Sequence, residues 1–205
     1  MPESADEVYA RIQETVGPDG RLPMPLQSQW NIFPWEVVDG EIVPKVIPPP
    51  GTEAVRKGDD DAHPFAEDAE VDADRLVWED EHWTLSHPGR PTGLPVVLTL
   101  TPKVRVDSGV LSDDLASEMG RIMNRLVRII ENLPHIGRVH VHRWGDSTSH
   151  LQVWFFARTE GLTNVLGPLA TEWNLMIPPG SEKVWREDLH TIALKLANWG
   201  GDARA

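Results

Sequence analysis

Two stretches of alternating side chains, RVHVHRW (Arg138–Trp144) and HLQVWFFAR (His150–Arg158), constrain the fold of this chain more than any other feature. Successive side chains of a strand point to opposite faces. Val139, Val141, Leu151, Val153 and Phe155 therefore fall on one face and suit a core. His140, His142 and Trp144 fall on the other, with His150, Gln152 and Trp154. Only the short polar stretch Gly145 to Ser149 separates the two, which predicts a hairpin with His142 opposite Gln152 and Trp144 opposite His150.

The surrounding pattern predicts an α+β unit. RLVWEDEHWTL reads as two short strands around the acidic turn Glu79 to Glu81, and LPVVLTL as a buried strand stopping at Pro102. Ser112 is a good N-cap, with Asp113 and Asp114 in the first turn. The helix that follows aligns Leu115, Met119, Ile122, Met123, Leu126 and Ile130, and ends before Pro134. A further capped helix is expected from Ser181 to about Asn198. Fold and boundaries follow: residues 75–205 form a twisted, mainly antiparallel sheet with a long packed helix and a C-terminal helix. Residues 1–74 hold an N-terminal helix near Glu3–Val16, a proline- and tryptophan-rich arm with an Asp39-Gly40 hairpin, and an acidic loop from Gly51 to Asp74.

Composition excludes several function classes. A net charge of −13 opposes electrostatic binding to nucleic acid or to an anionic membrane surface. No apolar run is long enough to span a bilayer, and the acidic, amphipathic start is unlike a secretory signal, so the expected location is the cytoplasm. With no cysteine, disulfides and thiolate chemistry are out, and a metal would need His, Asp or Glu. A small anion remains compatible with the acidic chain, because a local pocket can oppose the global field.

On the polar face the residues leave alternatives open. His140, His142 and His150 can hold a divalent metal, although no cofactor is the primary expectation, or they can hydrogen-bond within a partly solvated face. Arg158 ends its strand where it can meet an anion, and Lys103 follows Pro102 at another strand end. His63 offers a cation contact in the acidic loop. Trp30, Trp35, Trp78 and Trp83 are expected to pack, with base stacking as the alternative use. His87-Pro88-Gly89 reads as a turn.

GDSTSHLQVWFF resembles the signature strand of the histidine-triad superfamily: a Gly-x-Ser turn, then His-φ-His-φ-His, or the His-x-His-x-Gln of the galactose-1-phosphate uridylyltransferase branch. WEDEHWTLSHPG resembles that family's opening strands, and LPVVLTLTPK the strand leading to its Pro-Lys. The resemblance covers about Arg75 to Arg158. It implies that His150 takes the first triad position, Gln152 the nucleophile's position and Trp154 the third. It also implies that Ser147, after the turn glycine Gly145, contacts phosphate, and that His142 lies near a phosphate- or ribose-binding asparagine. A two-fold homodimer is implied as well.

The departures shape the functional expectation. A phosphoramidate intermediate needs an imidazole lone pair, and the amide nitrogen of Gln152 delocalises its own into the carbonyl. Gln152 can still donate to a phosphate oxygen. The expectation is a nucleotide or nucleoside-phosphate binder with Ser147, Gln152, Gly145, Trp154 and Arg158 as contacts and with weak or absent catalysis. One alternative is an active phosphohydrolase or nucleotidyltransferase using His142, His150 or a His-bound metal. The other is a non-catalytic interaction module on the same fold.

Overall fold

The structure, a computed structural model, describes residues 1–24, 33–59 and 72–205. Trp30, His63 and most of the acidic loop lie outside the described residues.

Helix α1 (Ala5–Gln13) starts at a capping box in which Ser4 and Glu7 satisfy each other's backbone amides. A separate hairpin, β1 (Trp35–Val38) and β2 (Glu41–Pro44), turns at Asp39 and Gly40. Their φ angles of 52° and 85° are those of the tight turn that Asp-Gly favours. Trp35 meets Phe33 edge to face at 4.8 Å and remains exposed.

Among the described residues the main sheet has six strands, all paired antiparallel. β3 (Leu76–Glu79), β4 (Trp83–Ser86), β5 (Val96–Pro102), β6 (Ile136–His142), β7 (Val153–Thr159) and β8 (Asp202–Ala203) run in the order β6-β7-β5-β4-β3-β8. The α+β, antiparallel expectation holds. Helix α2 (Asp113–Glu131) begins at Ser112, whose hydroxyl accepts from the Leu115 amide. It packs Ile122, Leu126, Ile129 and Ile130 on one face of the sheet beside α4 (Glu182–Ala197). Ser181 stands at the N-cap of α4 but makes no side-chain capping bond.

Trp78, Trp83, Val153 and Phe155 belong to this core. Burial of such apolar surface stabilises by about 25 cal/mol per Å² and is the main force holding the layers together. Val141 shares the face but is exposed, a correction to its expected place in the core, because β6 is the sheet's edge.

A second, smaller core lies on the opposite face. There Val97 and Phe156 meet Val8 of α1 and Ala170 of the short helix α3 (Ala170–Met176), with Trp154 packed against the cluster. This second face is the one that carries the polar side chains of β6 and β7.

Candidate functional site

Strand register brings part of the expected constellation together. His142 pairs with Trp154, His140 with Phe156, and Arg138 with Arg158. The predicted pairing of His142 with Gln152 and of Trp144 with His150 is therefore wrong by two residues. Because the slip is even, the histidines, Trp154 and Arg158 still share a face. Residues 143–152 form an open loop rather than a tight turn, since other segments satisfy its backbone. The Leu151 amide donates to Val106, and the loop takes a short parallel bridge between Lys57 and Thr148. Gln152, half-buried, precedes β7 rather than lying in it.

Around His142 the rings are tightly grouped. Trp144 lies flat on the imidazole, with centroids 5.0 Å apart and planes within 1°. Phe156 presents its edge to both His142 and Trp144, at 5.9 and 5.7 Å. Trp154 stacks on Phe156 at 6.0 Å. His140 is next along the edge strand, 6.3 Å from His142 between ring centroids. The patch combines broad apolar ring faces with imidazole nitrogens, a surface suited to a planar ring carrying polar groups.

Three nitrogens on this face are buried without a hydrogen-bond partner: His140 Nε2, His142 Nε2 and Arg158 Nε. Leaving a buried polar group unsatisfied costs about 1–3 kcal/mol, and more when it is charged. Arg158 also makes no ion pair among the described residues, contrary to the usual fate of a strand-end arginine. It extends past Gly137, whose missing Cβ would sit 3.0 Å from its Nη1. Burial pushes the His140 pKa down, and the nearby charge of Arg158 pushes it further. The ring stack and Arg158 are about 13 Å apart along β7, four residues of strand rise.

Gly145 and Ser147 belong to the loop, which is held by a segment the sequence pattern assigned to a solvated acidic stretch. That expectation fails for Arg56 to Asp59. The Lys57 amide donates to the Ser147 carbonyl at 3.1 Å, and the Ser149 amide returns to the Lys57 carbonyl at 3.0 Å. Arg56 bonds Asp59, Asp107 and the Gly145 carbonyl. Arg143 closes the other side of Asp107. Burial opposes ionisation of Asp107, yet the Ser108 amide, Arg56 and Arg143 hold its carboxyl below the usual range. The Ser147 hydroxyl is exposed and free of hydrogen bonds within the described residues. Arg56-Lys57-Gly58, a basic break in the acidic run, was the available signal for this strap.

His150 is half-buried, and its pKa is lowered by burial and then by Arg105. No three His, Asp or Glu side chains among the described residues are grouped to hold a metal, so His140, His142 and His150 do not form the three-ligand set weighed above. Lys103 is paired with Glu79 at 2.8 Å. His87 accepts from the Gly89 amide, forming the expected turn, and packs on Trp185.

One pH effect follows from three histidines at once. His87, His140 and His150 all have folded pKa values below the ordinary value near 6.5, each chiefly through burial. The unfolded chain therefore binds more protons than the folded one as pH falls through that value. Their contribution to stability is complete above about pH 6.5 and is lost as pH drops toward the lowered folded values. Buried Asp188, its carboxyl pushed up chiefly by burial, acts in the opposite sense, so the difference between variants is the test. On going from pH 7.5 to 5 the urea midpoint should shift less toward instability in His140→Asn than in the wild type, and identical pH dependences would contradict this account.

No family model matches the chain, and no curated protein does either. Among solved structures it is similar to a zinc-bound histidine triad family protein from Mycobacterium smegmatis, at 17% identity and a TM-score of 0.45, covering 63% of this chain and 88% of that one. It is also similar to a Hit-like protein involved in cell-cycle regulation from Bartonella henselae, solved with an unknown ligand, at 13% identity and 0.44, covering 58% and 85%. A histidine triad protein from Bradyrhizobium japonicum stands at 13% and 0.46, covering 59% of this chain and 89% of its own.

Proposed function

We propose that this chain is a histidine-triad-like protein that binds a nucleoside phosphate on the second face of β6 and β7 and does not process it through a covalent nucleotidyl intermediate. The observation that carries the reading is the set of partnerless nitrogens, His140 Nε2, His142 Nε2 and Arg158 Nε, beside a stack of rings. A bound phosphate accepts from the Arg158 guanidinium and from His140, its neighbour, and a base lies against Trp144 or Trp154 beside His142. Ser147 offers a further hydroxyl, which the histidine-triad resemblance assigns to phosphate. Gln152 stands where the resemblance puts the nucleophile. Its amide can hold an oxygen in place but cannot attack phosphorus.

Titration calorimetry with AMP tests this. Charge-assisted hydrogen bonds contribute about 1.5–3 kcal/mol, so Arg158→Ala should weaken AMP binding by roughly 10- to 100-fold. With ADP, the wild type should not release phosphate and AMP, the products that formation and hydrolysis of a nucleotidyl intermediate would give. Absence of AMP binding, or binding indifferent to Arg158→Ala, would remove the proposal.

A second reading is favoured by Trp144, which already covers His142 while remaining 45% exposed. In that reading the indole fills the ligand's place and the face serves a protein partner. Trp144→Ala separates the two. If Trp144 stacks a base, AMP binding weakens; if it is a plug, AMP binding strengthens.

A further inference from the structure

The opposite side of the molecule carries a groove that the proposed function does not use. It lies between α2 and α4, has a volume of about 430 Å³, and is lined by Arg125, Arg128 and Lys195, with Asn198 and the Trp199 indole. Helix geometry places Arg125 and Arg128 together, since residues three apart are neighbours on a helix surface. Lys195 comes from the last turn of α4, packed alongside.

Two properties set this groove apart from an ordinary charged helix face. Arg128 and Lys195 have no carboxylate partner among the described residues, and Arg125 sits 4.8 Å over the Trp199 ring instead of pairing with an acid. Arg128 and Lys195, two unpaired cations in a chain of net charge −13, form a local field opposite to the global one. The second property is Trp199 itself, 60% exposed beside them. Its indole offers ring surface to solvent, and the Arg125 guanidinium lies over the ring. Ile129 and the arginine stems supply an apolar floor.

We propose that this groove is a separate binding site for a small aromatic ligand bearing a phosphate. The ring stacks on the exposed indole of Trp199, and the phosphate meets Arg128 and Lys195. Asn198 is placed to bond the ring's polar edge. Orientation is set by what lies behind the Arg125–Trp199 pair. There a second cleft is lined by Asp80, Glu81, Glu118 and Asp202, which repel an anion from that side. A volume of this size fits a small molecule better than a polypeptide segment, for which a far broader surface is needed.

The test uses the full chain and calorimetric titration with AMP, inorganic phosphate and a deca-glutamate peptide. Reversing both rim charges, Arg128→Glu with Lys195→Glu, alters exposed side chains and leaves the core untouched. It should weaken AMP binding at this site by roughly a hundredfold. Trp199→Ala should weaken it about tenfold, and inorganic phosphate should bind about tenfold more weakly than AMP, because stacking is lost in both cases. Arg158→Ala, on the other face, should leave this binding unchanged. AMP binding abolished by Arg158→Ala and indifferent to the charge reversal would overturn the groove while sparing the proposed function. Binding that responds only to the groove variants would do the reverse. Tighter binding of deca-glutamate than of AMP would overturn the assignment to a small ligand.

Discussion

Phe155→Ala is expected to cost about 3–5 kcal/mol of folding stability, a fall large enough to read directly in urea midpoints. Phe155 is fully buried on β7, opposite Leu98 of β5 and Val141 of β6, and faces the helix layer. Its removal leaves a void bounded by three strands and a helix, which cannot collapse without bending the sheet. A domain of this size has roughly 5–15 kcal/mol in hand, so the variant should fold but stand near its limit. Trp154 and Phe156 lie next to it on the opposite face. Loss of the buried ring should therefore also loosen the stack beside His142. A cost below about 1 kcal/mol would mean that the core repacks freely and that β7 is not the rigid platform described above.

Gly201→Ala should have a comparable effect for a different reason. Gly201 has φ of 75°, a conformation that costs a residue with a Cβ about 1–2 kcal/mol. An added methyl would press on the Glu79 carbonyl oxygen and lie 2.6 Å from Cζ2 of the buried Trp78. Neither neighbour can yield, since one is strand backbone and the other is core. Overpacking of this kind costs about another 1–3 kcal/mol. The expected result is a total loss of about 2–5 kcal/mol, with β8 released from β3. Amide exchange at Arg204, whose N–H bonds the Val77 carbonyl, should speed up first. Exchange unchanged at Arg204 would contradict the account.

Local signals in the sequence located most elements. Alternation in β6 and β7, the Asp39-Gly40 turn, and Ser112 before the apolar stripe of α2 each reflect a rule satisfied within a few residues. The faces of the strands were legible for the same reason, which is why His140, His142 and Trp154 fall on one face as expected. Register was not legible. A hairpin is set by its loop, and this loop is held open by Val106 and Lys57, which no local pattern connects to it. Helix α3 was missed because it is short, lacks a recognisable cap and follows Gly167-Pro168. Strand β8 was missed because its two residues offer no periodicity. The unpaired state of Arg158 Nε and the convergence of Arg125, Arg128 and Lys195 depend on which carboxylates lie nearby, information that exists only after folding.

The strap on the Gly145–Ser149 loop has a consequence for the order in which the molecule assembles. Its contact between Lys57 and Thr148 joins positions 91 residues apart, whereas neighbouring strands such as β3 and β4 meet almost at once. Distant closures carry a larger entropy cost and form late. Ser147 and Gly145 should thus acquire their final arrangement after β6 and β7 have paired. Without the strap, the Ser149 amide and the Gly145 carbonyl would be left to bulk water. Competence of that loop would then be a property of the whole polypeptide's folding history rather than of the sheet that carries it.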